Sequence, residues 1–237
     1  MRRKTGEQCS MSAMNIFDFW QRFDHRDENT HPDDEAVLAE LQAAYSTDFD
    51  MTFPPGPYFG PLKTAKIVLC YANPSADQPS VKAVSKQNHH DTLLRQLSGE
   101  EDYPYQIGGW DTWFRRVANS LFAGDDKLAS RTVAIANLIP YASKNMDNVE
   151  AIANCLPSVW AMQDHLRHNL IPRAKRGEIL LVMCRSSHLW GLRTSHGSEN
   201  IIINDVRSGY TTEIKKIVSK FLAMNNFNLT KSIKPQV

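Results

Sequence analysis

Three asparagines, Asn73, Asn137 and Asn204, each close a short apolar run of the chain. A carboxamide carries one acceptor oxygen and two donor hydrogens. It can therefore pair bidentately with the edge of a nucleobase, or hold a water molecule against an electrophilic carbon. A single strand-end asparagine is an ordinary turn former; the repeated placement is what suggests a site. Other groups that could do chemistry lie close by in sequence: Tyr71, Ser75 and Asp77 around the first asparagine, Tyr141 after the second, and Arg207 and Ser208 after the third. Arg185 and Ser187 follow a further apolar run that ends at Cys184. Hydroxyls in such loops, with helix amino termini behind them, are suited to phosphate.

Several other chemistries find no support. The chain has no G-x-G-x-x-G, no G-x-x-x-x-G-K-[ST] and no G-x-S-x-G, which removes the common dinucleotide, P-loop and nucleophile-elbow readings. His89-His90-Asp91 invites a metal, but adjacent residues on a helix point in different directions, and a solvated helix is the simpler reading. The four cysteines, Cys9, Cys70, Cys155 and Cys184, show no C-x-x-C spacing. Cys70 and Cys184 sit in apolar runs and read as buried thiols, with no grouped ligands for an iron–sulfur cluster. No metal and no cofactor is expected.

The elements that must position these residues follow from the apolar pattern. IVLCYA (67–72), TVAIAN (132–137), EILLVMC (178–184) and NIIIN (200–204) are short unbroken runs of the kind that form strands buried on both faces. Proline stops the first at Asn73-Pro74, and Pro140 closes the second. Between them the sequence predicts helices: a polar one from about 80 to 97, an amphipathic one through GGWDTWFRRVANSLF with Trp110, Phe114, Val117 and Leu121 on one face, a long one over 149–168 interrupted near Pro157, and a last one over TTEIKKIVSKFLAM. Strands alternating with helices are the order of a parallel sheet with crossover connections, whose ligands bind beyond the carboxyl ends of the strands. The expected fold is α/β, a three-layer α/β/α arrangement on a short four-stranded parallel sheet. Ahead of it, residues 1–53 are expected to form a helical arm. It holds a short docked helix over 16–23 and a second helix from about 35 to 45, carrying Val37, Leu38, Leu41 and Tyr45 on one face and capped by Asp33 or Asp34. MTFPPGPYFGPLKT reads as a rigid approach loop to a core domain spanning 54–237.

The bulk numbers agree with this. At 237 residues and 42% hydrophobic the chain can bury one substantial core, and 22% charged residues is ordinary. A net charge of +1 argues against a histone-like polyanion binder but not against a local basic groove. With no signal-peptide pattern, and no apolar stretch approaching the ~20 residues needed to cross a bilayer, a cytoplasmic monomer is expected.

The segment AKIVLCYANPS resembles the first motif of the uracil-DNA glycosylase superfamily. It is closest to the mismatch-specific and single-strand-selective branches, where a hydrophobic strand ends in Asn-Pro-Gly. The preceding Pro-Gly-Pro-Tyr-Phe-Gly is similar to the lead-in of many such proteins. AIANLIPY resembles their base-reading strand, with Pro140 following Asn137 at the spacing of the single-strand-selective branch. The likeness runs from about Pro54 to Met224. It departs from the pattern at Ser75, where glycine is usual, and in lacking His-Pro-Ser after the fourth strand. Asn204-Asp205-Val206-Arg207-Ser208-Gly209 stands there instead, and an alternative alignment sets Arg185-Ser186-Ser187 in its place.

The resemblance implies a DNA glycosylase that flips a nucleotide and hydrolyses its N-glycosidic bond, leaving an abasic site. Under it, Asn73 positions the water with help from Asp77, and Asn137 reads the base in a pocket shaped by Ala72, Tyr71 and Tyr141. Asn204 or Arg207 supports the leaving group or wedges the duplex. Ser75, Arg185, Ser187, Arg207 and Ser208 contact DNA. The missing histidine points away from plain uracil and towards a modified base; one branch of similar architecture includes bacterial defence enzymes that excise hypermodified cytosine from phage DNA. The competing expectation is a nucleic-acid-binding module that kept the fold and lost the chemistry.

Overall fold

The computed structural model describes residues 15–23, 29–45, 49–145, 149–152, 154–206 and 209–225. Its centre is a mostly parallel sheet of five strands, β1 (Tyr58–Phe59), β2 (Ile67–Tyr71), β3 (Val133–Asn137), β4 (Leu180–Cys184) and β5 (Ile201–Asn204), in the spatial order β1-β3-β2-β4-β5. The four expected strands are all present and mutually parallel, with Leu69 opposite Ile135 and Val182. The fifth, β1, corrects the count: it lies inside the segment read as a loop and pairs antiparallel with β3, Tyr58 opposite Ala136. Gly60 permits this approach. It holds φ +83°, and a Cβ there would lie 2.6 Å from the carbonyl oxygen of Val133.

Each central strand is buried on both sides, and side chains alternate between two cores. Val68, Cys70, Ala134, Ala136, Leu181 and Met183 face one core, which the N-terminal helices share. Ile67, Leu69, Val133, Ile135, Leu180 and Val182 face the other. The first core takes α1 (Ile16–Gln21) and α2 (Pro32–Tyr45) from the N-terminal region. The second is closed by Phe114, Val117, Leu121 and Ala129 from the last two helices between β2 and β3, and by Ile214, Val218 and Leu222 from the helix after β5. After β2 come α3 (Gln78–Val84), α4 (Gln87–Gln96), α5 (Asp111–Leu121) and α6 (Asp126–Thr132). The expected helix over 80–97 is thus two helices, and α6 is an addition. On α5, Phe114, Val117 and Leu121 are buried as the spacing requires, while Trp110 stands at the N-cap, half-exposed.

The long helix expected over 149–168, interrupted near Pro157, is α7 (Val149–Ile152), then α8 (Pro157–His165), a π-turn (Leu166–Leu170) and α9 (Ile171–Lys175). Pro157 begins α8, where a missing N–H costs nothing. Pro172 explains the π-turn. It cannot donate to the carbonyl four residues back and its ring crowds that carbonyl, so the helix widens just before it and Ile171 N–H reaches back to Leu166. Beyond β5, α10 (Thr212–Met224) is capped by the Thr211 hydroxyl, which accepts from Ile214 N–H.

At α2 the expected aspartate cap is replaced by His31. The ring Nδ1 of His31 accepts the N–H of Asp33 at 3.1 Å, and both aspartates lie inside the first turn. Asp34 is wholly buried and accepts the Tyr141 hydroxyl at 2.7 Å and the Ser158 N–H at 2.9 Å. This contact ties the N-terminal region to the loop after β3 and to the start of α8. Leu38 is buried and Val37 and Leu41 pack beside it, as expected of that face; the side chain of Tyr45 lies outside the described residues. Among the described residues no helix is long and apolar enough to cross a membrane.

Candidate active site

The sheet reverses its direction of growth at β2: β3 is added on one side of it, β4 and β5 on the other. Such a switch point leaves a crevice at the strand carboxyl ends. The loops that leave β2 and β3 stay hydrogen-bonded past the sheet. Leu138 N–H donates to Tyr71 O, Ile139 N–H to Ala72 O, and Ala76 N–H and Ser143 N–H pair with Ser143 O and Pro74 O. Asn73 is set in this seam. Its Nδ2 donates to Ser143 Oγ at 2.8 Å, Pro74 O at 3.1 Å and Tyr141 O at 3.2 Å. Because two of these acceptors are carbonyls, the amide can only be oriented with its nitrogen inward. Its oxygen is turned away from the seam, and Asn73 lines the cavity described below.

Asn137 ends β3 on the same face, two residues beyond Ile135. It is 2% exposed, its N–H donates to Pro57 O at 2.8 Å, and its Nδ2 donates to Gly56 O at 2.8 Å. The proline-rich segment therefore wraps around this side chain and uses one amide hydrogen. Gly56 leaves room for the wrap, since a Cβ would sit 2.4 Å from the Phe59 ring. No described residue donates to Asn137 Oδ1.

Asn73 and Asn137 both line a cavity of about 370 Å³ between the strand ends and helices α3 to α5. Six aromatic side chains, Phe53, Phe59, Tyr71, Tyr103, Trp110 and Trp113, form much of its wall. Burial drives the phenols of Tyr71 and Tyr103 above their ordinary range, so they are neutral aromatic surface at any physiological pH. Among the described residues, Asp77 is the single carboxylate on the lining and Arg116 the single guanidinium. Asp77 caps α3, one carboxylate oxygen accepting Ser80 N–H at 2.9 Å. The opposite wall depends on Gly109, at φ +110°, where a Cβ would lie 2.5 Å from Pro79 O. Ser75 and Asp77 are exposed at the rim, Asn73 is half-buried and Asn137 lies deepest.

The structure thus gathers Tyr71, Asn73, Ser75, Asp77 and Asn137 around one cavity, and Tyr141, Ala72, Asn204, Arg185 and Ser187 are not on its lining. Tyr141 faces away, buried, its hydroxyl committed to Asp34 and His31 N–H. Ala72 is buried and contributes its carbonyl to Ile139. Asn204 is buried at the end of β5, donates to Gly209 O at 3.1 Å, and has an Oδ1 with no partner. It borders a separate depression with Asp205, Val206 and Thr211. Between Asn204 and the cavity stand the Cys184 thiol, pushed up to about 12 by burial, and the Tyr71 and Tyr210 hydroxyls, 3.4 Å apart. Arg185 is exposed at φ 58° with its N–H on Asn204 O, and Ser187 is buried with its carbonyl on Leu192 N–H; neither lines the cavity. Arg207 and Ser208 lie outside the described residues. His89 Nδ1 is bonded to Ala83 O, and no metal-competent group of His, Cys, Asp or Glu occurs among the described residues.

Of the aromatic wall, sequence reasoning reached Tyr71 and missed the other five rings, as it missed Thr112 and Arg116. The available signal was on α5. Trp113 and Arg116, three residues apart, fall beside the stripe of Phe114, Val117 and Leu121, which marks a flank that is neither core nor fully solvated. Comparison with protein-family models, with curated proteins and with solved structures finds no match. Fold and site together define an α/β protein with an aromatic, amide-bearing cavity at the switch point of a mostly parallel sheet.

Proposed function

We propose that this chain is a DNA glycosylase, hydrolysing the bond between a flipped, modified base and its deoxyribose. The observation that carries the reading is the convergence of Asn73, Asp77 and Asn137 on one cavity walled by aromatic rings. A base drawn out of the stack needs planar apolar surface to replace its neighbours, and a polar contact on its edge. The wall supplies the first. Asn137 supplies the second through its open Oδ1 and remaining amide hydrogen. With the base against Asn137, the sugar lies nearer the rim, beside Asn73 and Asp77. Asn73 Oδ1 accepts a hydrogen from the attacking water, and the Asp77 carboxylate stabilises the cation-like sugar and receives the water's proton. The C1′–N bond breaks, the oxygen of water bonds to C1′, and the base leaves with its electron pair and takes a proton from solvent, to which Asp77 returns the one it received.

The cavity also bears on which base. About 370 Å³ lies in the small-molecule range of roughly 300–1,000 Å³, with room for a pyrimidine bearing a substituent. This supports a hypermodified cytosine, of the kind phage DNA carries, over plain uracil. The test is a panel of DNAs containing uracil, mismatched thymine, hydroxymethylcytosine or glucosylated hydroxymethylcytosine, followed by alkaline cleavage at abasic sites. Breaks on the glucosylated substrate that disappear with Asn73→Ala are the expected result; ready cleavage of uracil DNA alone would remove the hypermodified-base reading.

A second reading rests on Asn204. Its seclusion behind Tyr71 and Tyr210 leaves the departing base without the support expected from that residue, which favours a module that binds a flipped base without cutting it. DNA binding with no abasic product on any substrate would select it.

A further inference from the structure

We propose that Arg116 makes the cavity a nucleotide site rather than a base site, by binding the phosphate attached to the nucleoside whose base enters it. This rests on the reading above for the base but on separate observations for the phosphate. Arg116 lines the cavity from the exposed side of α5, among Thr112 and Trp113. It makes no hydrogen bond or ion pair with the described residues. The neighbouring Arg115 behaves differently, lying 3.9 Å from the carboxylates of both Asp111 and Asp126. Of two adjacent guanidiniums on one helix, one is neutralised by its own surface and the other is left open at the mouth of the cavity.

The charge fits an anion of limited reach. The base-sized depth of the cavity ends in a neutral amide, Asn137, so an anionic ligand would place its charge at the mouth. Asp77, the single carboxylate of the lining, has one oxygen drawn back by Ser80 N–H. A guanidinium offers a planar fork matched to two phosphate oxygens. The phosphate has two possible sources, a free mononucleotide or the backbone of a polynucleotide, and the chemistry of the contact is common to both.

Two measurements read this directly. Quenching of the fluorescence of Trp110 and Trp113 follows occupancy without requiring turnover. Deoxycytidine monophosphate should bind about ten-fold or more tightly than deoxycytidine, with Arg116→Gln abolishing the difference and Arg116→Lys restoring part of it. In the second arm, binding of a short single-stranded oligonucleotide is followed against salt. Arg116→Gln should lower the slope of log K on log salt by about 0.7, the value of one phosphate contact on a single strand. A mononucleotide preference with an unchanged slope assigns the site to free nucleotides; a lowered slope assigns it to the backbone. Equal affinity for nucleoside and nucleotide together with an unchanged slope overturns the proposal, as does failure of both the mononucleotide and the oligonucleotide to bind at millimolar concentration. Because Arg116 is exposed, its variants fold. Catalytic silence with an intact phosphate preference would defeat the glycosylase reading alone, and turnover with no effect of Arg116 would defeat this proposal alone.

Discussion

Asp77 carries two roles that a single substitution can separate. Its carboxylate caps α3, and its charge faces the cavity. Asparagine caps a helix about as well as aspartate, so Asp77→Asn keeps the bond to Ser80 N–H and removes only the charge. Under the glycosylase reading, turnover should fall by about 10²- to 10⁴-fold, the usual worth of a positioned acid–base group. Thermal stability should be nearly unchanged. A loss of activity matched by a loss of folding would show that capping was its whole contribution. Tyr141 is the converse case. The resemblance gives it to the base pocket, whereas its hydroxyl is spent on buried Asp34. Tyr141→Phe leaves that carboxylate short of a donor and should cost about 1–3 kcal/mol in urea unfolding, with kcat/KM on the best substrate unchanged.

At the level of elements, the four parallel strands and the asparagines that end two of them were legible because a doubly buried strand leaves a plain signature, an unbroken apolar run, which proline stops in two of the four. β1 was not, since a two-residue strand between prolines and glycines has no pattern to show. The division around Pro157 was visible. The π-turn was hidden, because it arises from Pro172 acting on carbonyls within the preceding turn. The aromatic wall of the site was concealed for a related reason. Aromatic residues at helical spacing are usually core, and what sets Trp113 apart is the strand ends it faces, which are contributed by residues distant in sequence. One consequence concerns the seam between α3 and the approach to α5. Gly109 is forced there by a positive φ and by Pro79 O, whereas a Cβ on Gly108 would meet nothing within 4 Å. Gly109→Ala should therefore destabilise by more than about 1 kcal/mol and weaken nucleotide binding. Gly108→Ala should stay within about 0.5 kcal/mol of the parent. Equal effects of the two would mean that the seam does not shape the cavity.

The whole molecule responds to acid through its buried histidines. His165 sits in the core where α8 meets the π-turn, its ring edge-on to Phe17 and its Nε2 without a partner. Burial, with Arg173 adding repulsion, brings its pKa down from 6.5 to about 4. His31 is lowered as well, mainly by burial, against the pull of the Phe19 carbonyl on its Nε2. In both cases the unfolded chain takes up a proton at a pH where the folded chain does not. Stability therefore rises with pH across this window, is complete above about 6.5, and declines as the solution is acidified towards 4. Glu100, Asp111 and Glu178 also titrate low, through bonds to Lys63, Gly109 N–H and Arg176, but they lie at or near the surface and their contribution falls below the ordinary carboxylate range. The decline between pH 6.5 and 4 consequently belongs to the histidines. For His165 alone the loss at about pH 5, relative to neutral pH, is on the order of 2 kcal/mol. His165→Leu removes the titrating group and keeps an apolar side chain against Phe17. Denaturant unfolding of parent and variant from pH 7.5 down to 4.5 should show the parent losing stability more steeply, with the gap opening below pH 6.5. Parallel curves would mean that water reaches His165 and that its proton is taken up without unfolding.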